Sequence, residues 1–245
     1  MNIITTIFFA LLGGILPAVI WLFFWLKEDG THPEPNNLII RTFFYGMLAV
    51  PVSFVFEYIV NVFILNGSLD PKTAIQDSLV LGTITLISWA FIEEVTKYIA
   101  ANKSGISKKS NNEPIDPVIY LITAALGFAA LENAFFIFTP ILDGNFSNAL
   151  ITSNLRFIGA TLLHVTSSAL IGIFIAFSYF KSQTIKKTYL FAGITASVIL
   201  HSLFNFFIIN FDEFTLIIFG AVWILIITLI IIFEKIKNIH LNSIN

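Results

Sequence analysis

Four short groups of residues have the types and spacing for hydrolytic chemistry: Glu93-Glu94-Val-Thr-Lys97, Glu132-Asn133, His164, and His201-Ser-Leu-Phe-Asn205. A carboxylate can take a proton from water, an imidazole can ligate a metal or carry a proton, and an amide or imidazole can donate to a developing oxyanion. Helical geometry sorts the members. At about 100° per residue Glu93 and Glu94 diverge, and Lys97, three and four positions on, sits angularly between them. One carboxylate can therefore serve a site while the other pairs with Lys97. His201 and Asn205 are four apart and share a face. The chain has no cysteine, so any metal must be held by His, Asp, Glu, Asn or water.

These groups must be positioned by elements that lie in lipid. Of 245 residues 57% are hydrophobic and 11% charged, mean hydropathy is +0.88 and formal net charge is -2. That excludes a water-soluble domain, a disordered chain and a nucleic-acid binder. Seven apolar runs are long enough to cross a bilayer, at approximately 3–26, 38–65, 79–101, 117–140, 155–180, 189–210 and 214–233. The expected fold class is all-α, a polytopic transmembrane helix bundle. The first run reads as a retained span rather than a signal peptide. Lys27, Arg41, Lys103, Lys108, Lys109, Lys181, Lys186, Lys187, Lys235 and Lys237 fall on one side and Lys72 and Arg156 on the other, which predicts an outer N-terminus and a cytoplasmic C-terminus.

Depth follows from the helical rise. Glu132, His164 and His201 fall about 13 Å from the outer ends of their spans, and Glu93 and Glu94 nearer to 20 Å, so neighbouring helices can converge them near mid-membrane. Ionisable side chains at that depth are costly unless paired, hydrated or facing the bundle, and each is a functional candidate. Blander readings compete. A lone intramembrane His often only joins two helices, and Lys97 is near enough to a span end to snorkel to the headgroups. Glu57 and Asn61, four apart in the second span, read as a packing or proton-relay pair. Trp21 and Trp25 read as interface anchors.

In order along the chain, these residues resemble the PrsW family of polytopic intramembrane proteases, distant relatives of the CAAX prenyl endopeptidases and bacteriocin-processing membrane proteases. Glu93-Glu94-Val-Thr-Lys97 looks like the family's EExxK, Phe128 to Glu132 its FxxxE, His164 its lone histidine, and His201 to Asn205 its HxxxN/D. His32-Pro33-Glu34-Pro35 resembles the family's PEP segment. The resemblance implies that residues 1–245 form a single integral-membrane protease domain in a prokaryotic cytoplasmic membrane. Its partners are then the bilayer and a membrane-protein or peptide substrate such as an anti-sigma factor.

It also implies a site. Glu93, interchangeably with Glu94, would activate water. His201 and Asn205 would donate to the oxyanion. Glu132 and His164 would position the water, with Glu132, His164 and His201 the ligands if a divalent ion such as zinc is used. Lys97 would hold the second glutamate. The resemblance leaves metal and metal-free glutamate chemistry open. The rival expectation from the same buried cluster is a secondary transporter or proton pathway.

Overall fold

The computed structural model describes residues 2–29, 33–64 and 78–242, with Thr73, Ile75 and Gln76 between them. Among these residues there is no strand. Seven helices are long and apolar enough to cross a membrane: α1 (Ile3–Asp29), α2 (Asn36–Phe63), α3 (Leu79–Ile106), α4 (Asp116–Leu142), α5 (Phe146–Phe177), α6 (Gln183–Asn210) and α7 (Thr215–Asn238). Lipid offers no partner to backbone N–H and C=O groups, so helices that satisfy them internally are the form the apolar runs must take.

The bundle is built around α4 and α5. Both are buried over 72% of their most apolar window, against 17–39% for the other five. Apolar residues surround α4 on every side, which suits a helix enclosed by others. It packs on α1, α2 and α5, while α5 also meets α6 and α7, and α3 sits between α2 and α6. Small residues set the close crossings. A Cβ on Gly46 would lie 2.1 Å from the Ala124 carbonyl oxygen, and one on Gly127 would lie 2.0 Å from that of Phe43, so α2 and α4 touch backbone to backbone.

Several boundaries differ from the sequence expectation for one reason: helices run beyond the apolar stretch. The fifth begins at Phe146 rather than 155, capped by the Asn145 side chain accepting from the Asn148 N–H at 3.1 Å, after a turn in which Gly144 has φ +73°. Polar residues of a helix outside the hydrocarbon are invisible to hydropathy. Trp25 corrects another expectation. It is 1% exposed and packs on Phe233 of α7, so it is core rather than an interface anchor; Trp21, one turn before it, packs at a tilt against Phe157 and Trp223.

Candidate active site

The two glutamates of α3 end in different surroundings. Glu94 is fully buried and its carboxylate is saturated. Oε1 accepts from Lys97 Nζ at 2.8 Å, Ser167 Oγ at 3.0 Å and His201 Nδ1 at 2.8 Å. Oε2 accepts from Ser168 Oγ at 2.7 Å and Ser197 Oγ at 2.9 Å. Charge-assisted bonds from three helices thus meet on one side chain, which joins α3, α5 and α6. Glu93 is the opposite case. Its Oε2 is buried and makes no hydrogen bond, with Lys97 Nζ 3.3 Å away, His201 Nε2 at 3.7 Å and His164 Nδ1 at 3.8 Å.

Each imidazole is oriented from behind. Glu94 holds Nδ1 of His201, and Glu132 Oε2 holds Nε2 of His164 at 2.8 Å, so each ring turns its other nitrogen toward Glu93. The rings meet edge to face at 5.2 Å. Ligand atoms of Glu93, His164 and His201 lie within 4.8 Å of one another, a group able to hold a metal ion. Glu132, which the sequence reading grouped with the two histidines, lies outside that group, its nearer oxygen bonded by His164 and by Arg156 Nη2 at 2.5 Å.

Lys97 does not snorkel. It has no exposed surface, donates to Glu94 and to His164 Nδ1 at 2.8 Å, and lies 4.5 Å above the Phe128 ring. Asn205, one turn beyond His201, is half-buried on the wall of a cleft of about 740 Å³ that also exposes Glu93, Glu132, His164 and His201. The cleft is otherwise largely apolar, with Trp89, Phe136 and Phe219 among its walls, and it lies between the start of α5, the end of α6 and the start of α7.

The sequence missed Arg156, which it counted only as an orientation charge at the outer start of the fifth run. The arginine lines the cleft, bonds Glu132 and the Asn133 Oδ1 at 2.5 Å each, and stacks 3.9 Å over Phe136. A wide π-helical turn, Arg156–Ala160, explains how it reaches Glu132 together with His164. In a regular helix, eight residues would leave the two about 80° apart. The wide turn rotates less per residue and brings both to one carboxylate. Ser167, Ser168 and Ser197 were also missed, because single serines in apolar helices usually bond their own backbone.

The PEP-like segment lies elsewhere. His32 is outside the described residues, while Glu34 is buried and accepts from the Tyr120 hydroxyl, itself 3.0 Å from Ser110 Oγ. Glu34 pins the α1–α2 connection to α4 at the end of the bundle where the lysine-rich connections lie, and it does not line the cleft.

Comparison with known proteins identifies the family. Residues 34–232 match the family described as PrsW family intramembrane metalloprotease. The chain is 25% identical to Protease PrsW of Geobacillus kaustophilus over 80% of its own length and 78% of the relative's. It is 28% identical to Protease PrsW of Oceanobacillus iheyensis, over 84% and 85% of the two chains. Against Protease PrsW of Bacillus subtilis the identity is 24% over 79% and 80%. No solved structure matches. With that match covering most of its length and a Glu–His–His group buried between its helices, the chain belongs to the PrsW family of intramembrane metalloproteases.

Proposed function

We propose that this protease cuts a single-span membrane protein, such as an anti-sigma factor or a similar signalling protein of the cytoplasmic membrane, with Glu93 as the general base. The observation that carries this reading is the contrast within the glutamate pair. Glu93 lines the cleft and its Oε2 has no hydrogen bond, whereas every acceptor direction of Glu94 that the bundle reaches is filled. A base must have room for the proton it takes, and Glu93 has it.

The metal implied by the family fits the donor set. Glu93 Oε2, His164 Nδ1 and His201 Nε2 would hold it, and a carboxylate behind each histidine is the usual support for a metal-bound imidazole. A zinc-like ion suits two nitrogens and an oxygen, with an open position for water or substrate. When bound, it supplies Lewis-acid polarisation and a more acidic water. Lys97 already donates to His164 Nδ1, so the ammonium competes with a cation for that nitrogen.

The residues of the chain divide the remaining work. Glu93 takes a proton from the attacking water, on Oε1 where Oε2 holds a metal, and returns it to the leaving amine. Glu94 donates nothing to the reaction; it fixes His201 and Lys97. His201 is engaged at Nδ1 by Glu94 and turns Nε2 toward Glu93, so the oxyanion-donor role proposed for His201 and Asn205 together rests on the Asn205 amide on the cleft wall, worth about 3 kcal/mol per donor. Glu132 fixes His164, and Arg156 fixes Glu132. The cleft is at the end of the bundle opposite the lysine-rich connections, so with those in the cytoplasm the scissile bond is cut on the outer side of the membrane.

Purified protein reconstituted with candidate single-span substrates tests the reading. Wild type should release fragments that map to the outer juxtamembrane region, and Glu93→Gln should release none. A chelator should abolish cleavage and added zinc restore it. Near-normal cleavage by Glu93→Gln overturns the assignment of the base.

A further inference from the structure

The face that α2 turns toward α3 carries a polar ladder with one open rung. Ser53, Glu57 and Asn61 recur every four residues and so line one face of the helix. Opposite them, running the other way, α3 presents Thr96, Glu93 and Trp89. The outer rungs are closed by direct bonds: Ser53 Oγ to Thr96 Oγ1 at 2.7 Å, and Trp89 Nε1 donating to Asn61 Oδ1 at 3.1 Å. Glu57 and Glu93 fall at the register between those two pairs and act on each other electrostatically. Glu57 is 7% exposed and its Oε1 is buried with no hydrogen-bond partner, and the same holds for Oε2 of Glu93.

A buried carboxylate oxygen without a donor is expensive, and in lipid no bulk water relieves it. A single water molecule supplies two donors. Its hydrogen-bonding capacity matches a rung closed at both ends by side-chain bonds and flanked by two acceptors. The charged groups that act on Glu57 are Glu132 of α4 and Lys97 and Glu93 of α3. None of them donates a hydrogen bond to Glu57 Oε1.

We infer that Glu57 and the Glu93 carboxylate form a binding site for a reserve water molecule, which lies behind the cleft and supplies the hydrolytic water of an otherwise apolar site. The inference rests on the reading of Glu93 as the base. Glu93 lines the cleft and Glu57 does not, so water held there is one step from the substrate, on the protected side of the base. A protease whose cleft walls are largely apolar must refill that position after each turnover, and the α2 ladder gives it a local source. Glu57 acts through the water and is a positioning residue.

The test compares Glu57→Gln and Glu57→Met in the reconstituted full chain. Glu57→Met fills the volume without an acceptor, and kcat should fall about 10- to 100-fold with KM unchanged, as for a misplaced reactant. Glu57→Gln keeps an acceptor and should retain most of kcat. Unfolding in mixed micelles should show Glu57→Met at least as stable as wild type, because the variant removes a buried polar group that no side chain satisfies. A direct readout accompanies the kinetics: the wild type minus Glu57→Met infrared difference spectrum should contain an O–H stretch that shifts in H2-18O. Wild-type kcat in Glu57→Met, or no isotope-sensitive band, overturns the inference. Equal kcat losses in both variants together with lowered stability also overturn it, in favour of a packing role. Cleavage by Glu93→Gln would instead sink the reading of the base, while a dead Glu93→Gln beside a fully active Glu57→Met would sink the water site alone.

Discussion

Substitutions at the adjacent glutamates should separate stability from activity. Glu94→Ala removes the acceptor of five donors, two of them cationic or potentially so. Lys97 loses its nearer carboxylate, and breaking a buried pair from one side costs about 3–5 kcal/mol. Ser168 and Ser197 lose a charged acceptor, while Ser167 keeps the His164 carbonyl at 3.3 Å. Unmade bonds of this kind add about 1–3 kcal/mol, so the expected loss is roughly 4–8 kcal/mol, nearer the lower figure if water enters the space. Glu94→Gln should be intermediate. Its carbonyl can face Lys97 and His201, and its amide can face two serine hydroxyls that rotate to accept. Glu93→Gln removes only an ion pair at 3.3 Å, while Lys97 keeps Glu94 and His164, so the change should be about 1 kcal/mol or less. Equilibrium unfolding in mixed detergent–SDS micelles, followed by the fluorescence of the four tryptophans, measures all three, and cleavage is assayed on the same preparations. If Glu94→Ala unfolds within about 1 kcal/mol of wild type, the saturated carboxylate is not a structural node and the division of labour is wrong.

Three further outcomes follow from the geometry. Arg156→Lys should lower kcat/KM about tenfold, because an ammonium cannot bond Glu132 and Asn133 in the arginine's fork, while Arg156→Ala should lose more; equal activity in all three would remove Arg156 from the site. Burial pushes the Glu34 carboxyl up to about 8 from an ordinary 4.5, with Asp116 adding to the effect. The folded state then holds a proton that the unfolded state has lost, so this group's contribution to stability falls as pH rises from 4.5 to 8 and is flat outside that window. Glu34→Gln should flatten that part of the unfolding profile, and an unchanged profile would refute the burial argument. Gly46→Ala and Gly127→Ala each push a methyl group into a backbone carbonyl and should cost about 1–3 kcal/mol in the same unfolding assay, whereas Gly220→Ala, with open space around it, should be silent.

Much of this was legible in the residues because lipid makes them informative. Seven apolar runs had to be helices, and Glu93, Glu94, Glu132, His164 and His201 stood out as charges that need partners at depth. Spacing also foresaw that Lys97 would reach the glutamate pair. It could not say which glutamate stays open, since that depends on Ser167, Ser168 and Ser197, residues too ordinary to single out. Nor could it place Arg156, whose charge at the edge of an apolar run reads as a loop signal until the helix is seen to extend to Phe146. That same arginine holds Glu132 from the side opposite His164.

The wide turn at Arg156–Ala160 has a bearing on how this helix can change over time. A turn of that kind is what one inserted residue does to a regular helix, so α5 amounts to two helices spliced out of phase. Loss of a single residue there would restore uniform winding and swing Phe146–Leu155 by about 100°, with scarcely any change in hydropathy. The interval between Arg156 and His164 is thus held by rotation rather than by composition. A lineage that shortened or lengthened it would have to find Glu132 another counterion, and a gap placed in this stretch of an alignment would mark where that exchange took place.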